Sequence, residues 1–389
     1  MPYTARLRKA VGLLRAALAG AGLERQSPEF ARHGEHAAAE DAPLVLVACS
    51  GGRDSMALAA VARIVCASLG LRCGAVIVDH GMQDGSDRIA EAAASRCRTL
   101  GLAPVLVRPI AVRESGEGPE AAAREARYRE LVAVAYESRA VALLLAHTMD
   151  DQAETMLIGL LRTRGTDALA GMPASFTRGG VAFLRPWLEL ARADTTGICA
   201  ELDLEYWDDP TNGESVTGEL PRDYPLRSRV RHDLLPAIAR FAGGDVTRHL
   251  AESAELARRD KDYLDECADR VMARAVTFAG APAASPVIAG ASAACPVTAG
   301  GMARIIDGAT VLTIDARTLE TEHPAIRARV IAHALERAGI AAGAAQVDAI
   351  GRLVTDWHGQ GAVRLPRGYS ANRKKHVIRV CQDGAHANR

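Results

Sequence analysis

Lysine is almost missing from this 389-residue chain. It occurs only at Lys9, Lys261, Lys374 and Lys375, so arginine supplies nearly all of the 47 basic residues. Alanine is abundant as well, which reads first as coding bias and second as a preference for the bidentate phosphate contacts of guanidinium groups. No charge sign is in excess, because 47 acidic residues balance the basic ones. That balance excludes a uniformly basic nucleic-acid coat but leaves room for a local basic face. The eight cysteines (Cys49, Cys66, Cys73, Cys97, Cys199, Cys267, Cys295 and Cys381) show no C-x-x-C and no paired spacing. This argues against zinc or an iron–sulfur cluster and for reduced thiols in a cytoplasmic protein. No run of 18 uncharged apolar residues suggests a membrane span, and nothing near Met1 reads as a secretory signal. Neither a GKS or GKT phosphate loop nor a G-x-G-x-x-G fingerprint is present, and no internal repeat is visible.

What is present is a regular alternation. Leu7, Val11, Leu14 and Leu18 recur at helical spacing, and residues 24–42 form a polar connector. Short apolar runs follow at Leu44–Ala48, Ala75–Val78, Pro104–Val107 and Ala142–Ala146, separated by helical stretches at about 54–69, 87–100 and 120–138, with a further helix beginning at Asp151. Uninterrupted apolar strands are buried on both faces. The fold class is therefore α/β, a Rossmann-like parallel sheet with helices on both faces, and the length leaves room for a second domain. The alternation stops after about residue 209. The expected organisation is an N-terminal helix and connector at 1–42, a catalytic domain at 43–215, and a mainly helical domain at 216–389 with strand-like pieces near 362–365 and 377–380. Residues 277–303 are almost wholly Ala, Gly, Pro, Ser, Thr and Val and read as a flexible insertion.

Three polar clusters fall at strand ends, where ligands bind in such sheets. Ser50-Gly51-Gly52-Arg53-Asp54-Ser55 follows the first strand directly. Its glycines allow a tight turn with N–H groups close to an anion, the next helix aims its positive dipole end there, and Ser50 and Ser55 add hydroxyl donors. The bland reading of this segment is a capped helix start. Asp79-His80 ends the second strand, and His147-Thr148-Met149-Asp150-Asp151-Gln152-Ala153-Glu154 follows the fourth. Asp151 and Glu154 share a helical face. Acidic residues at a helix start complement the dipole, but three carboxylates beside a phosphate loop also call for a cation, either Mg²⁺ carried with ATP or a cationic substrate. Arg124 and Arg127 share another face, which can aim an arginine at phosphate or simply be solvated beside Glu120, Glu125 and Glu130. Two basic concentrations stand out: Arg222, Arg227, Arg229, Arg231, His232 and Arg240, and then Arg364, Arg367, Arg373, Lys374, Lys375, His376 and Arg379. With Tyr224 and Tyr369 available to stack on bases, they suggest an enzyme acting on RNA.

The ordered segments SGGRDS, VDHGM, EAAAREARYREL, HTMDDQAET with ALAGM, RPWLEL and RSRVRHDLLPAI, over residues about 44–240, resemble the tRNA(Ile)-lysidine synthases, a family of N-type (PP-loop) ATP pyrophosphatases; WHGQGAVRLPRG resembles it more weakly. The resemblance implies ATP with Mg²⁺ as cofactors, L-lysine and a CAU-anticodon tRNA(Ile) as substrates, and a tRNA-binding C-terminal domain. It also implies no membrane association and is compatible with a homodimer. Carried over residue by residue, it implies that Ser50, Gly51, Gly52, Arg53, Asp54, Ser55 and His147 hold ATP. Asp54 would also hold the metal, and Asp151 and Glu154 would hold the lysine. Asp54, Arg127, Asp151, Arg229 and Arg231 would be the catalytic set. Four positions depart from the family pattern: Arg53 in the loop, Gln83 for an arginine, Thr148 for a second histidine and Ser228 for an asparagine. The alternatives are a tRNA thiolase of the same class, against which the missing C-x-x-C counts, an amidotransferase-type synthetase, against which the lack of an N-terminal nucleophilic cysteine counts, and a non-catalytic tRNA-binding protein, against which Asp54, Asp151 and Glu154 count.

Overall fold

The computed structural model describes residues 3–31, 37–79, 81, 85–110, 119–212, 216–279 and 310–383. His80, Gln83 and most of the expected insertion, from residue 280 on, lie outside them. The chain divides into two compact units, Met1–Arg258 and Arg259–Arg389.

In the first unit, helix α1 (Ala5–Gly20) precedes an alternation of β1 (Leu44–Ala48), α2 (Arg53–Leu69), β2 (Arg72–Asp79), α3 (Ser86–Thr99), β3 (Val105–Pro109), α4 (Pro119–Ser138), β4 (Ala140–Leu144) and α5 (Met149–Arg162). A short α6 (Thr166–Leu169) leads to the hairpin β5 (Ser175–Arg178) and β6 (Val181–Leu184), followed by α7 (Arg192–Glu201), α8 (Leu226–Arg229), a π-helical turn at Val230–Leu234, and α9 (Leu235–Ala242). The long α10 (Thr247–Ala275) contains the division between the units.

The six strands order as β3-β2-β1-β4-β6-β5, all parallel except β5, which pairs antiparallel with β6 at the edge. In β1 all of Leu44, Val45, Leu46 and Val47 are buried. Val45 and Val47 join a core with α1, α2 and α3, whereas Leu44 and Leu46 join Tyr128, Leu131 and Val134 of α4 on the opposite face. An apolar residue at every position is what a strand covered on both sides requires. The chain steps outward from β1 to β2 to β3, then returns to place β4 on the other side of β1. The crevice beyond the ends of β1 and β4 is thus a topological switch point, where such sheets bind ligands.

The β5–β6 hairpin is a feature the alternation did not announce. Its strands have four residues each, and its turn uses Gly179 and Gly180, both at positive φ (52° and 76°). A Gly-Gly pair between β-rich runs is a hairpin signal, so the clue was present though short. Strand β4 starts two residues earlier than its apolar run suggests, which leaves Leu145 and Ala146 to lead out of the sheet to His147.

The second unit adds β7 (Val276–Phe278), β8 (Thr310–Asp315), α11 (Ala316–Glu320), α12 (Pro324–Arg337), α13 (Ala344–Thr355), β9 (Val363–Leu365), β10 (Tyr369–Lys374) and β11 (Val377–Gln382). The strands form one antiparallel sheet, β7-β8-β11-β10-β9, sharing a core of Leu312, Ile314, Val330, Ile331, Leu335, Ile350, Ile378 and Val380 with the helices. Three expectations are refined or corrected here. The helices carry a five-stranded sheet that was visible only as two fragments, because β10 reads Tyr-Ser-Ala-Asn-Arg-Lys and has no apolar period. Residues 277 and 278, read as the start of an insertion, belong to β7. Tyr369 packs in this core and is 8% exposed, so it cannot stack on a base.

Candidate active site

Strand β1 must reverse into α2 within four residues. Gly51 makes the turn at φ 81°, and a Cβ there would sit 2.9 Å from Ala93 Cβ, so both backbone and space demand glycine. The Gly51 carbonyl accepts from Trp207 N–H at 2.9 Å, which fastens the loop to the segment after α7. Gly52 is the N-cap of α2 and has no side chain to cap with, so the first-turn N–H groups and the positive helix end remain for a ligand. Ser55 is not the free donor expected. Its hydroxyl donates to Gly52 O at 2.9 Å and accepts from Ser50 N–H at 3.2 Å, so it braces the loop.

Beyond this loop lies a cavity of about 420 Å³ lined by Ser50, Gly52, Arg53, Asp54 and Ser55 on one side and by Ala146, His147 and Asp151 after β4. Arg124 and Arg127 enter from α4, Arg192 from the start of α7, and Arg227 and Arg231 from α8 and the π-helical turn; Asp208, Asp209 and Asn212 complete the wall. Among the described residues, Arg127 Nε is buried with no hydrogen-bond partner. Burial, together with the neighbouring charges of Arg124 and Arg227, pulls the Arg127 pKa down. A buried donor left unpaired among like charges is a seat for an anion.

The opposite end of the chamber is acidic. Thr148 caps α5, and Asp151 Oδ2 accepts from Thr148 N–H at 2.8 Å and from its hydroxyl at 2.9 Å. Thr148 thus supplies a capping box with Asp151. The other oxygen, Oδ1, takes Arg192 Nη2 at 3.1 Å and lies 3.5 Å from Arg231 Nη2. Burial alone would raise the Asp151 pKa, but Arg192, His147, the Thr148 N–H and Arg231 outweigh it and hold it at about 2. Glu154, one turn further, is fully buried. Its Oε1 accepts from Arg231 Nε at 2.6 Å and Arg192 Nη2 at 3.2 Å, and its Oε2 from Arg231 Nη2 at 3.1 Å and Arg227 Nη1 at 3.2 Å. Burial disfavours the Arg192 charge, yet Asp151, Glu154, Asp150 and Asp54 around it raise its pKa. Asp54 accepts from the Thr195 hydroxyl and stands 3.8 Å from Arg192 Nε and 3.9 Å from Arg53 Nε. Burial raises its pKa.

This arrangement is a phosphate-seeking loop and a carboxylate pair in one chamber. Family models match at both ends of the chain: a PP-loop domain over residues 25–238 and a TilS substrate binding domain over residues 315–380. A tRNA(Ile)-lysidine synthase of Bifidobacterium longum subsp. infantis is 66% identical over 390 residues, covering 100% of both chains. The chain belongs to the tRNA(Ile)-lysidine synthase family. Its likeness to other synthases falls off gradually: 51% identity to that of Bifidobacterium animalis subsp. lactis, over 100% of this chain and 98% of that one, and 40% to that of Streptomyces coelicolor, over 86% and 84%.

Most of the residues expected from the synthase resemblance meet at this cavity: Ser50, Gly52, Arg53, Asp54, Ser55, Arg127, His147, Asp151 and Arg231 line it, and Gly51 shapes its loop. Two do not. Glu154 lies beneath the lining, sealed by three arginines, and Arg229 is absent from the lining, its charge acting on Asp233 instead. Sequence reading gave no site role to Arg192, Thr195, Arg185 or Tyr128. Arg192 reaches Asp151 and Glu154 from a separate helix, and no spacing rule joins residues 41 and 38 positions apart. The buried Ser228, at another of the four departures, donates to Thr211 O at 2.9 Å.

Proposed function

We propose that this enzyme makes lysidine in two steps within the cavity. In the first, the C2 oxygen of the wobble cytidine of a CAU-anticodon tRNA(Ile) attacks the α-phosphorus of ATP and diphosphate leaves. In the second, the ε-ammonium of lysine loses a proton to solvent, the neutral amine attacks C2, the C2–O bond breaks, AMP departs with the oxygen, and the newly attached nitrogen releases its second proton to solvent. The carrying observation is the opposition of chemistries in one chamber: the Gly51 turn, the uncapped start of α2 and the unpartnered Arg127 Nε face a carboxylate end at Asp151.

Activation has to precede displacement because the C2 oxygen of cytidine is a poor leaving group. The loop N–H groups and Arg127 are suited to hold phosphate oxygens as charge shifts between them. Mg²⁺ brought with ATP would neutralise part of that charge. Asp54 is the carboxylate that fits it, at the start of α2 and on the cavity wall. Among the described residues no group of three His, Cys, Asp or Glu side chains could hold a metal alone, as suits an ion held largely through phosphate.

For lysine, Asp151 is the partner that reaches the cavity wall. With a pKa of about 2 it holds an ammonium well and takes its proton poorly, so its part is binding and orientation rather than general base catalysis. Glu154 acts through Arg192, Arg227 and Arg231, which it holds toward the cavity.

The test is transfer of labelled lysine to a CAU-anticodon tRNA(Ile), with initiator tRNA(Met) as the control sharing that anticodon. The isoleucine tRNA alone should be labelled, with ATP consumed to AMP and diphosphate. Asp54→Asn should lower diphosphate release by about 100-fold or more. Release near the wild-type rate in that variant would overturn the assignment of the loop.

A further inference from the structure

Strand β6 ends at Leu184 and sets Arg185 beneath the end of β4. Arg185 is 4% exposed, and its guanidinium is held on several sides. Nη1 donates to Pro173 O at 2.7 Å, Nη2 donates to the Tyr128 hydroxyl at 3.3 Å, and the group lies 4.5 Å over the Phe176 ring. Tyr128 is itself fixed edge-on to Phe176 and Phe183, whose rings stack 5.0 Å apart. Nε donates to His147 Nδ1 at 3.2 Å.

A guanidinium can only donate, so Nδ1 must present its lone pair and the imidazole proton must sit on Nε2. Nε2 has no hydrogen-bond partner among the described residues, and His147 lines the cavity. The charged groups facing the ring are Asp151 from α5, Arg185 from the end of β6, Arg127 from α4 and Arg227 from α8. Burial, then the three arginines, outweigh Asp151 and hold the His147 pKa down to about 3.

We propose that Arg185 is a positioning residue that locks His147 as its neutral Nε2–H tautomer, so that His147 serves the cavity as a hydrogen-bond donor to a bound oxygen and not as a proton acceptor. The lock follows from geometry in the free protein. The nature of the oxygen, one that gains negative charge as the adenylate forms, rests on the lysidine reading above. A donor that cannot titrate near neutrality stays in place through both steps, whereas a histidine acting as base would have to be re-set between them.

The tautomer is read directly by ¹⁵N NMR of the full chain labelled in its histidine rings, with no ligand added and His147 identified as the signals missing from His147→Gln. The expected spectrum has an unprotonated Nδ1 and a protonated Nε2, unchanged between about pH 5.5 and 8.5, a range spanning an ordinary histidine's titration. A proton on Nδ1, or a midpoint inside that range, would overturn the proposal. This readout needs no turnover, so it stands or falls separately from the reaction assigned above. Activity supplies the second arm. His147→Gln places an untitratable N–H near the Nε2 position and should keep diphosphate release within about tenfold of wild type. His147→Glu, an acceptor only, should lose about 100-fold or more in kcat with little change in KM for ATP. Equal losses in both variants would reject the donor role. Arg185→Lys keeps the charge and the burial but not the Nε donor, so it should let a form with the proton on Nδ1 appear in the spectrum and should lower kcat; an unchanged spectrum and rate would show that Arg185 does not set the ring.

Discussion

At the scale of the residue, the acidic pair of α5 separates into two different devices. Asp151 uses one oxygen to cap its own helix and takes Arg192 with the other at the cavity wall. Glu154 has no exposure and is satisfied on both oxygens by Arg192, Arg227 and Arg231. Breaking a buried ion pair by removing one partner costs about 3–5 kcal/mol, because the other charge is left uncompensated. Glu154→Gln should therefore lower unfolding free energy by about 3 kcal/mol in a urea titration, along with the rate. A raised KM for lysine at unchanged stability would instead mean that lysine reaches Glu154 directly. Arg53, the loop residue with the least obvious purpose, stands 3.9 Å from Asp54 and on the cavity wall, so it extends the basic lining.

At the scale of the element, the decisive piece is the four-residue link between β1 and α2. Its shape depends on Gly51 in the left-handed region, on the Ser55 brace and on the bond from Trp207. Gly51→Ala adds a residue that dislikes this backbone by about 1–2 kcal/mol, and its methyl would meet Ala93 at 2.9 Å. The expected result is a lower melting temperature together with a higher KM for ATP, measured by thermal unfolding and diphosphate release. An unchanged KM would show that the loop holds phosphate without this turn. In the second unit the basic run over β9 to β11 divides as well. Arg373 donates to Leu353 O and Val354 O and covers Trp357, so it serves packing, whereas Arg364, Arg367, Lys374, Lys375 and Arg379 are exposed. If Lys374 and Lys375 meet tRNA phosphates, replacing both with alanine should reduce the slope of log affinity against log salt by about one for each phosphate no longer neutralised. An unchanged slope would place the tRNA elsewhere.

At the scale of the whole molecule, His147 and Asp151 make stability depend on pH in one direction, against the opposite contribution of Asp54, whose pKa burial raises. The folded state holds His147 near pKa 3 against an ordinary 6.5, so below about pH 6.5 the unfolded chain binds a proton that the folded chain refuses. Asp151, held at about 2 against 3.8, adds stability that is present above its unfolded value and is lost as pH falls toward 2. Both signs agree: unfolding free energy should decline on acidification from about pH 6.5, and His147→Gln should flatten the upper part of that decline, as measured by urea unfolding at a series of pH values. A profile that rises on acidification would contradict the burial of both groups.

How much of this could be read without a fold follows from the range of each interaction. The β1–α2 loop, the helix start at Thr148 and the both-sides-buried strands are local patterns of period and turn, so they were legible from residues near one another, and with them the α/β class and the phosphate end of the site. The β5–β6 hairpin and the polar strand β10 were not, since strands of four to six residues carry too few periods to stand out. By itself the sequence determined the parallel sheet, its phosphate loop and the acidic start of α5, because each rests on neighbours along the chain. Only the tertiary structure decided that Glu154 is sealed by arginines, that Arg192 bridges it to Asp54 and Asp151, and that Arg185 turns a donor onto His147. Those contacts join residues 38 to 138 positions apart, and what brings them together is the packing of helices around a sheet, which no local pattern encodes.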